Sequence, residues 1–186
     1  RKRVPAGEFP LSEQAQGLVL INNYFWAAYY GAVRLYQYQL VDDSSDLNDP
    51  DAERWGFYRG DWSAKPAADY MHRFTKVLAD AAPSDPATLP AFTVTGKKPE
   101  TWGAMMALSK SDGSFVLIAN NTIRWWDIET GRETTPKPEI WRIRLEKPAR
   151  YTITDIRTGE VNGPLSGTEF DIPVRGYPVL VHVKPR

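Results

Sequence analysis

The segment AAPSDPATLP, residues 81 to 90, splits the sequence into two parts with different periodicities. Before it, apolar residues recur at helical spacing. After it, they alternate. A chain built this way cannot be one uniform architecture, and the expected domain boundary falls there, giving regions 1–85 and 86–186.

The second region is a series of short alternating runs: AFTVTG, GAMMALSK, FVLIANN, IWRIRL, RYTITDI, EFDIPV and YPVLVHVK. Turns such as Ser111-Asp112-Gly113 and Thr158-Gly159 part them. This number of strands in so short a stretch predicts an antiparallel β-sandwich. The chain has 186 residues, 42% of them hydrophobic and 12% aromatic, enough for a real core.

The first region reads helix, strand, long loop, helix. Ser12 with Glu13 and Gln14 starts a helix, apolar on most faces through Leu18, Val19, Leu20, Ile21, Tyr24, Phe25, Trp26 and Tyr29, which Gly31 ends. A strand is expected from about Val33 to Val41, running into Asp42, Asp43 and Asp46. The loop SSDLNDPDAERWGFYRGDWSAKP carries Trp55, Phe57, Tyr58 and Trp62, and Pro66 opens a second helix whose packed face holds Ala67, Tyr70, Met71, Phe74, Val77, Leu78 and Ala81. A lone strand between two apolar helices needs partners, and the sequence suggests that they precede residue 1.

Charge and composition exclude several classes. Lys plus Arg and Asp plus Glu number 23 each, so no net field draws nucleic acid or an anionic membrane. No apolar stretch has transmembrane length, and the basic start Arg1-Lys2-Arg3 lacks the apolar run of a signal peptide. Without cysteine there is no disulfide, thiolate metal site or cysteine nucleophile.

SEQAQGLVLINNYFWAAYYGAVRLYQYQLVDD followed by WGFYRGDWSAKPAADYMHRF resembles the end of the catalytic (β/α)8 barrel of retaining glycoside hydrolases that append a C-terminal β-sandwich. DIRTGE and YPVLVHVKP resemble late strands of that sandwich. The resemblance implies an α/β plus all-β chain: the last βα unit of a barrel, then the sandwich. It implies an enzyme that cleaves glycosidic bonds with two carboxylates. Its partners would be a carbohydrate substrate and the upstream remainder of the barrel, with no cofactor, and it favours a secreted or periplasmic setting. Where the family commonly has a bulky aromatic and an acidic residue on the last strand, this chain has Gln37 and Gln39. The family's catalytic glutamates would both precede residue 1.

Substrate-contacting candidates are therefore Gln37 and Gln39 on the inward face of the strand, Asp42 and Asp43 at its rim, and Trp55 in the loop. Trp55 could line a sugar cleft or plug a gap between domains. Glu8, in AGEFPLSE, is a candidate nucleophile, although RKRVPAG makes a poor preceding strand. The run Asp42, Asp43, Asp46, Asp49, Asp51, Glu53 imitates a calcium loop but lacks its Gly and terminal Glu, so a solvated loop with Arg54 or Arg59 as partners is the plainer reading. His72 and His182 lack ligand partners at metal spacing, and no nucleophile-elbow motif supports a serine triad. The alternative function is a non-catalytic carbohydrate-binding or structural β-sandwich module, for which an exposed ring at Trp125 or Trp126 is the diagnostic feature.

Overall fold

A computed structural model describes residues 11–44, 54–81, 89–127 and 129–185. They divide into two compact units, one drawn from Arg1–His72 and Arg124–Thr135, the other from Arg73–Ile123 and Pro136–Arg186. The segment expected as a linker lies mostly at 82–88, outside the described residues.

In the first unit, helix α1 (Glu13–Tyr29) starts at Ser12, whose Oγ accepts from the Ala15 N–H at 3.0 Å. It stops where Gly31 takes a φ of +86°. The Gly31 and Ala32 amides then reach back to the carbonyls of Ala28 and Ala27, a turn that needs a residue free of Cβ strain. Helix α2 (Pro66–Leu78) crosses α1 at Gly17, where a Cβ would come within 3.0 Å of the Ala67 backbone and 2.9 Å of the Tyr70 ring. A bare backbone at that point is what lets the helices approach and bury Ala15, Leu18, Ile21, Ala67 and Tyr70.

The strand expected from Val33 to Val41 does not form. Val41 makes one isolated parallel bridge to Tyr58, and residues 33–40 belong to no sheet. An extended segment without a ladder partner gains no inter-strand hydrogen bonds and no cross-strand side-chain contacts, so it does not form a strand. The expectation of an α/β barrel end is thereby corrected: the described residues hold two α-helices and a largely antiparallel set of strands, and are predominantly β.

The second unit differs from the expected two-sheet sandwich as well. Its strands are β1 (Phe92–Thr95), β2 (Ala104–Ser109), β3 (Phe115–Asn120), β6 (Glu139–Asp155), β7 (Val161–Val174) and β8 (Val179–Pro185). They form a single six-stranded antiparallel sheet, in the order β1-β6-β8-β3-β2 with β7 also on β6. A small hairpin of β4 (Trp126–Asp127) and β5 (Arg132–Glu133) belongs to the first unit.

One sheet can enclose a core because β6 bends. Its first half, Arg142 to Leu145, pairs with β1, while Ala149 to Asp155 pairs with β8. The register against β7 shifts between Arg144 and Ala149, across the exposed Glu146-Lys147-Pro148. Proline and a bulge are the usual means of turning a strand around a corner. The alternating inward residues then converge: Trp141, Ile143, Leu145, Ala149 and Tyr151 of β6 meet Phe115, Leu117, Phe170, Ile172, Val181 and Val183. Full burial of such side chains stabilises by about 1.5–3 kcal/mol each.

Gly103, just before β2, marks the tightest approach to this core. A Cβ there would lie 2.1 Å from Cζ2 and 2.6 Å from Cη2 of the fully buried Trp141. Gly103→Ala should therefore destabilise the chain by about 1–3 kcal/mol or more through overpacking. A lower urea midpoint with an unchanged slope is the expected measurement.

Candidate functional site

The loop after α1 returns to the start of α2 through a polar knot. The Leu40 carbonyl accepts from the Phe57 and Tyr58 amides at 2.9 and 3.1 Å, Asp42 N donates to Tyr58 O at 2.9 Å, and Lys65 N donates to Phe57 O at 3.0 Å. Within this backbone frame the Lys65 ammonium lies 3.0 and 2.9 Å from the two oxygens of Asp42 and 2.9 Å from the Arg54 carbonyl. Asp42 Oδ1 also accepts from Gly56 N at 2.8 Å. The side chains of Lys65 and Asp42 are 1% and 5% exposed. Burying two charges is costly, and this pair is tolerable because each of the three ammonium protons has an acceptor.

Neighbouring residues are shaped around the pair. A Cβ on Gly56 would fall 2.7 Å from Asp42 N and 2.8 Å from its Oδ1, so only glycine fits there. Gln16 of α1 donates to the same Arg54 carbonyl at 2.8 Å, and Arg59 makes a two-pronged contact with Glu13 at 2.8 and 2.5 Å. That half-exposed pair lifts the guanidinium further above its already high value, chiefly through the Glu13 hydrogen bond. The Gly-aromatic step and the Lys-Pro helix start of the sequence thus serve a local structural purpose, which is to close the loop.

The sequence-derived site residues separate into distinct environments. Asp42, expected at a pocket rim, is buried and saturated by Lys65 and Gly56. Gln37 and Gln39 are half-buried, and Gln37 Nε2 donates to the Tyr38 carbonyl at 2.6 Å. Asp43 is exposed, as is Trp55. Trp62 of the same loop is 68% exposed. Glu8 and the acidic positions Asp46, Asp49, Asp51 and Glu53 lie outside the described residues. Among the described residues no three His, Asp or Glu side chains gather as a metal site would require, and no helix is long and apolar enough to cross a membrane.

The diagnostic tryptophans of the β-module reading are not open platforms. Trp125 is 9% exposed and Trp126 half-buried, with its indole Nε1 buried and without a hydrogen-bond partner.

A serine, a histidine and an aspartate do come together, at Ser114, His182 and Asp112. His182 Nε2 lies 2.8 Å from Ser114 Oγ, and Ser114 directs both its amide and its hydroxyl to Asp112. The hydroxyl has one proton, and it goes to the carboxylate, so the imidazole must donate to the serine. A nucleophile requires the reverse, with serine donating to histidine. The group closes a tight turn. Burial, reinforced by Lys110 and Lys184, holds the His182 pKa below 6.5 and keeps the ring neutral.

Sequence reasoning missed two organising residues. Lys65 offered no signal beyond its place before Pro66. Glu139 did: it shares the inward face of β6 with Trp141 and Ile143, so a carboxylate had to be buried there. Its carboxylate accepts from Lys98 N at 2.5 Å, from Trp141 Nε1 at 2.7 Å and from Thr101 Oγ1. Burial alone would raise its pKa, and these donors more than offset that, so the group stays ionised below the ordinary glutamate value.

No protein-family model matches the chain, and no curated protein does.

The buried pair and the neutral histidine each make a measurable prediction. Lys65→Met leaves Asp42 buried without a counter-charge and should cost about 3–5 kcal/mol, whereas the double variant Asp42→Asn, Lys65→Met should recover most of that loss. Denaturant titration of the three proteins separates the cases. For His182, the unfolded chain takes up a proton near pH 6.5 while the folded one resists. Its contribution is thus complete above that pH and is lost as pH falls towards the lowered folded value. Thermal melts from pH 7 to 5 should show His182→Gln flattening this decline.

Proposed function

We propose that this chain is a non-catalytic portion of a glycoside hydrolase. In this reading its apolar segment around residues 29–40 lies against the rest of the enzyme, and its β unit supports the assembly. The observation that carries the reading is the surface of that segment. Tyr29, Tyr30, Val33, Leu35, Tyr36, Tyr38 and Leu40 are all large, apolar and exposed, with Val33 at 94% and Tyr36 at 82%. So dense a run of exposed apolar side chains marks an interaction surface rather than a face evolved for water. The resemblance of residues 12–43 and 55–74 to glycoside hydrolases supplies the kind of partner.

Chemistry in such an enzyme comes from two carboxylates flanking the glycosidic bond, one as acid/base and one as nucleophile. This chain contributes contacts. The amides of Gln37 and Gln39 can both donate to and accept from sugar hydroxyls, and Asp43 and Trp55 add an exposed acceptor and a flat ring. Asp42 takes no part with substrate, since Lys65 and Gly56 occupy its oxygens. Its role is to hold the loop that carries Asp43 and Trp55.

In the enzyme that contains this chain, Gln37→Ala should remove one neutral hydrogen bond, about 0.5–1.5 kcal/mol, and lower kcat/KM roughly 2- to 10-fold without changing stability. Tyr38→Ser should instead weaken the assembled protein while leaving KM unchanged. Turnover of aryl glycosides by the purified chain alone, or a Gln37→Ala enzyme with unchanged kinetics, would overturn the reading.

A further inference from the structure

Among the described residues, the non-glycine positions with a positive φ are Trp62 at 69° and Trp102 at 33°, and both rings are exposed, at 68% and 75%. Left-handed backbone is unfavourable for any residue with a Cβ and rare for a bulky one. It persists only where the surroundings enforce it, and such positions concentrate where a side chain serves a function.

At Trp102 the enforcement can be followed bond by bond. The 3-10 turn Pro99–Thr101 precedes it, and the Glu139 carboxylate, 4% exposed, grips that turn through Lys98 N and Thr101 Oγ1 while its other contact is Trp141 Nε1. The Thr101 carbonyl accepts from both the amide and the hydroxyl of Thr122, at 3.1 and 3.0 Å. On the far side Gly103 packs against the Trp141 ring, closer than any side chain would allow. The backbone is thus fixed before and after Trp102, and the indole is held out in water.

Geometry and chemistry together point to a carbohydrate, and we infer that Trp102 is a stacking platform for a pyranose ring of an oligosaccharide. This deepens the carbohydrate reading above and rests on it. A protein partner would need a contiguous apolar patch. Here the ring's chain neighbours are Lys97, Lys98, Pro99, Glu100, Thr101 and Gly103, and the Lys97 ammonium is itself 5.1 Å above the Trp141 ring. A sugar asks for less: one rigid flat apolar surface for its C–H face, with exposed hydrogen-bonding groups beside it, as Lys98, Glu100 and Thr122 are. Rigid presentation also lowers the entropy lost on binding.

The test uses the whole chain and the β-1,4-linked hexasaccharides of glucose, xylose, mannose and N-acetylglucosamine, followed by calorimetry and tryptophan fluorescence. At least one should bind. Trp102→Ala should weaken that binding about tenfold or more, Trp102→Tyr should restore much of it, and Trp62→Ala should leave it unchanged. Trp102→Gly, which suits the left-handed backbone, should lose binding without lowering Tm. Binding that survives Trp102→Ala, or that Trp62→Ala abolishes instead, would overturn the assignment of Trp102 and leave the carbohydrate reading standing. Absence of binding to all four sugars would overturn the platform, while the Gln37 kinetics judge the wider reading independently. A Tm lowered by more than about 4 °C in Trp102→Gly would make the indole a packing residue and also overturn it.

Discussion

Strand β6 is the constraint on which the β unit depends. It pairs with β1, β7 and β8, and its inward residues from Trp141 to Tyr151 form the middle of the core. A straight strand of this length would hold a flat sheet open to solvent on both faces. The break at Glu146-Lys147-Pro148 lets β1 and β8 share one edge in succession, so that a single sheet curls around its own apolar face. Glu139 at the strand's beginning extends this influence outward, because its buried carboxylate fixes the loop that presents Trp102.

The helical unit depends on a polar interaction instead. Lys65 and Asp42 stand 23 positions apart and meet with almost no water around them. Their attraction does little for net stability once desolvation is counted, but an unmatched charge in the same place is heavily penalised. The pair therefore acts mainly on register: the chain between Asp42 and Lys65 closes with Gly56 against Asp42 and the Arg54 carbonyl facing Lys65. That leaves Trp55 and Trp62 at the surface, beside a preceding segment whose aromatic side chains also face outward.

Both units thus use buried carboxylates to position exposed tryptophans. In the helical unit the carboxylate belongs to an ion pair, whereas in the β unit Glu139 is held chiefly by the neutral donors Lys98 N, Thr101 Oγ1 and Trp141 Nε1, with the Lys98 charge adding to them. Either arrangement makes loops rigid where most loops are loose. Rigid aromatic surfaces suit ligands with flat apolar faces and many hydroxyls, which is the chemistry common to the functional proposals made for the chain.

Much was legible from local pattern. Ser12 and Gly31 bound the first helix, Pro66 opens the second, and alternation marks most of the β residues, because caps, fixed φ angles and side-chain period act within a few residues of chain. Val33 to Val41 misled for the same reason: its composition suits a strand, but a strand exists only when another backbone takes its hydrogen bonds. Curling one sheet rather than stacking two was decided by pairing across β6, which local pattern does not encode. Nor could the string of residues show that Asp42 would turn inward to Lys65, leaving Asp43 outside, or that Trp102 rather than Trp125 would face water. The sequence by itself determined where helices start and which residues seek burial, since those are local and hydrophobic preferences. Only tertiary structure decided which polar groups meet and which rings stay exposed, since both depend on contacts between residues far apart in the chain.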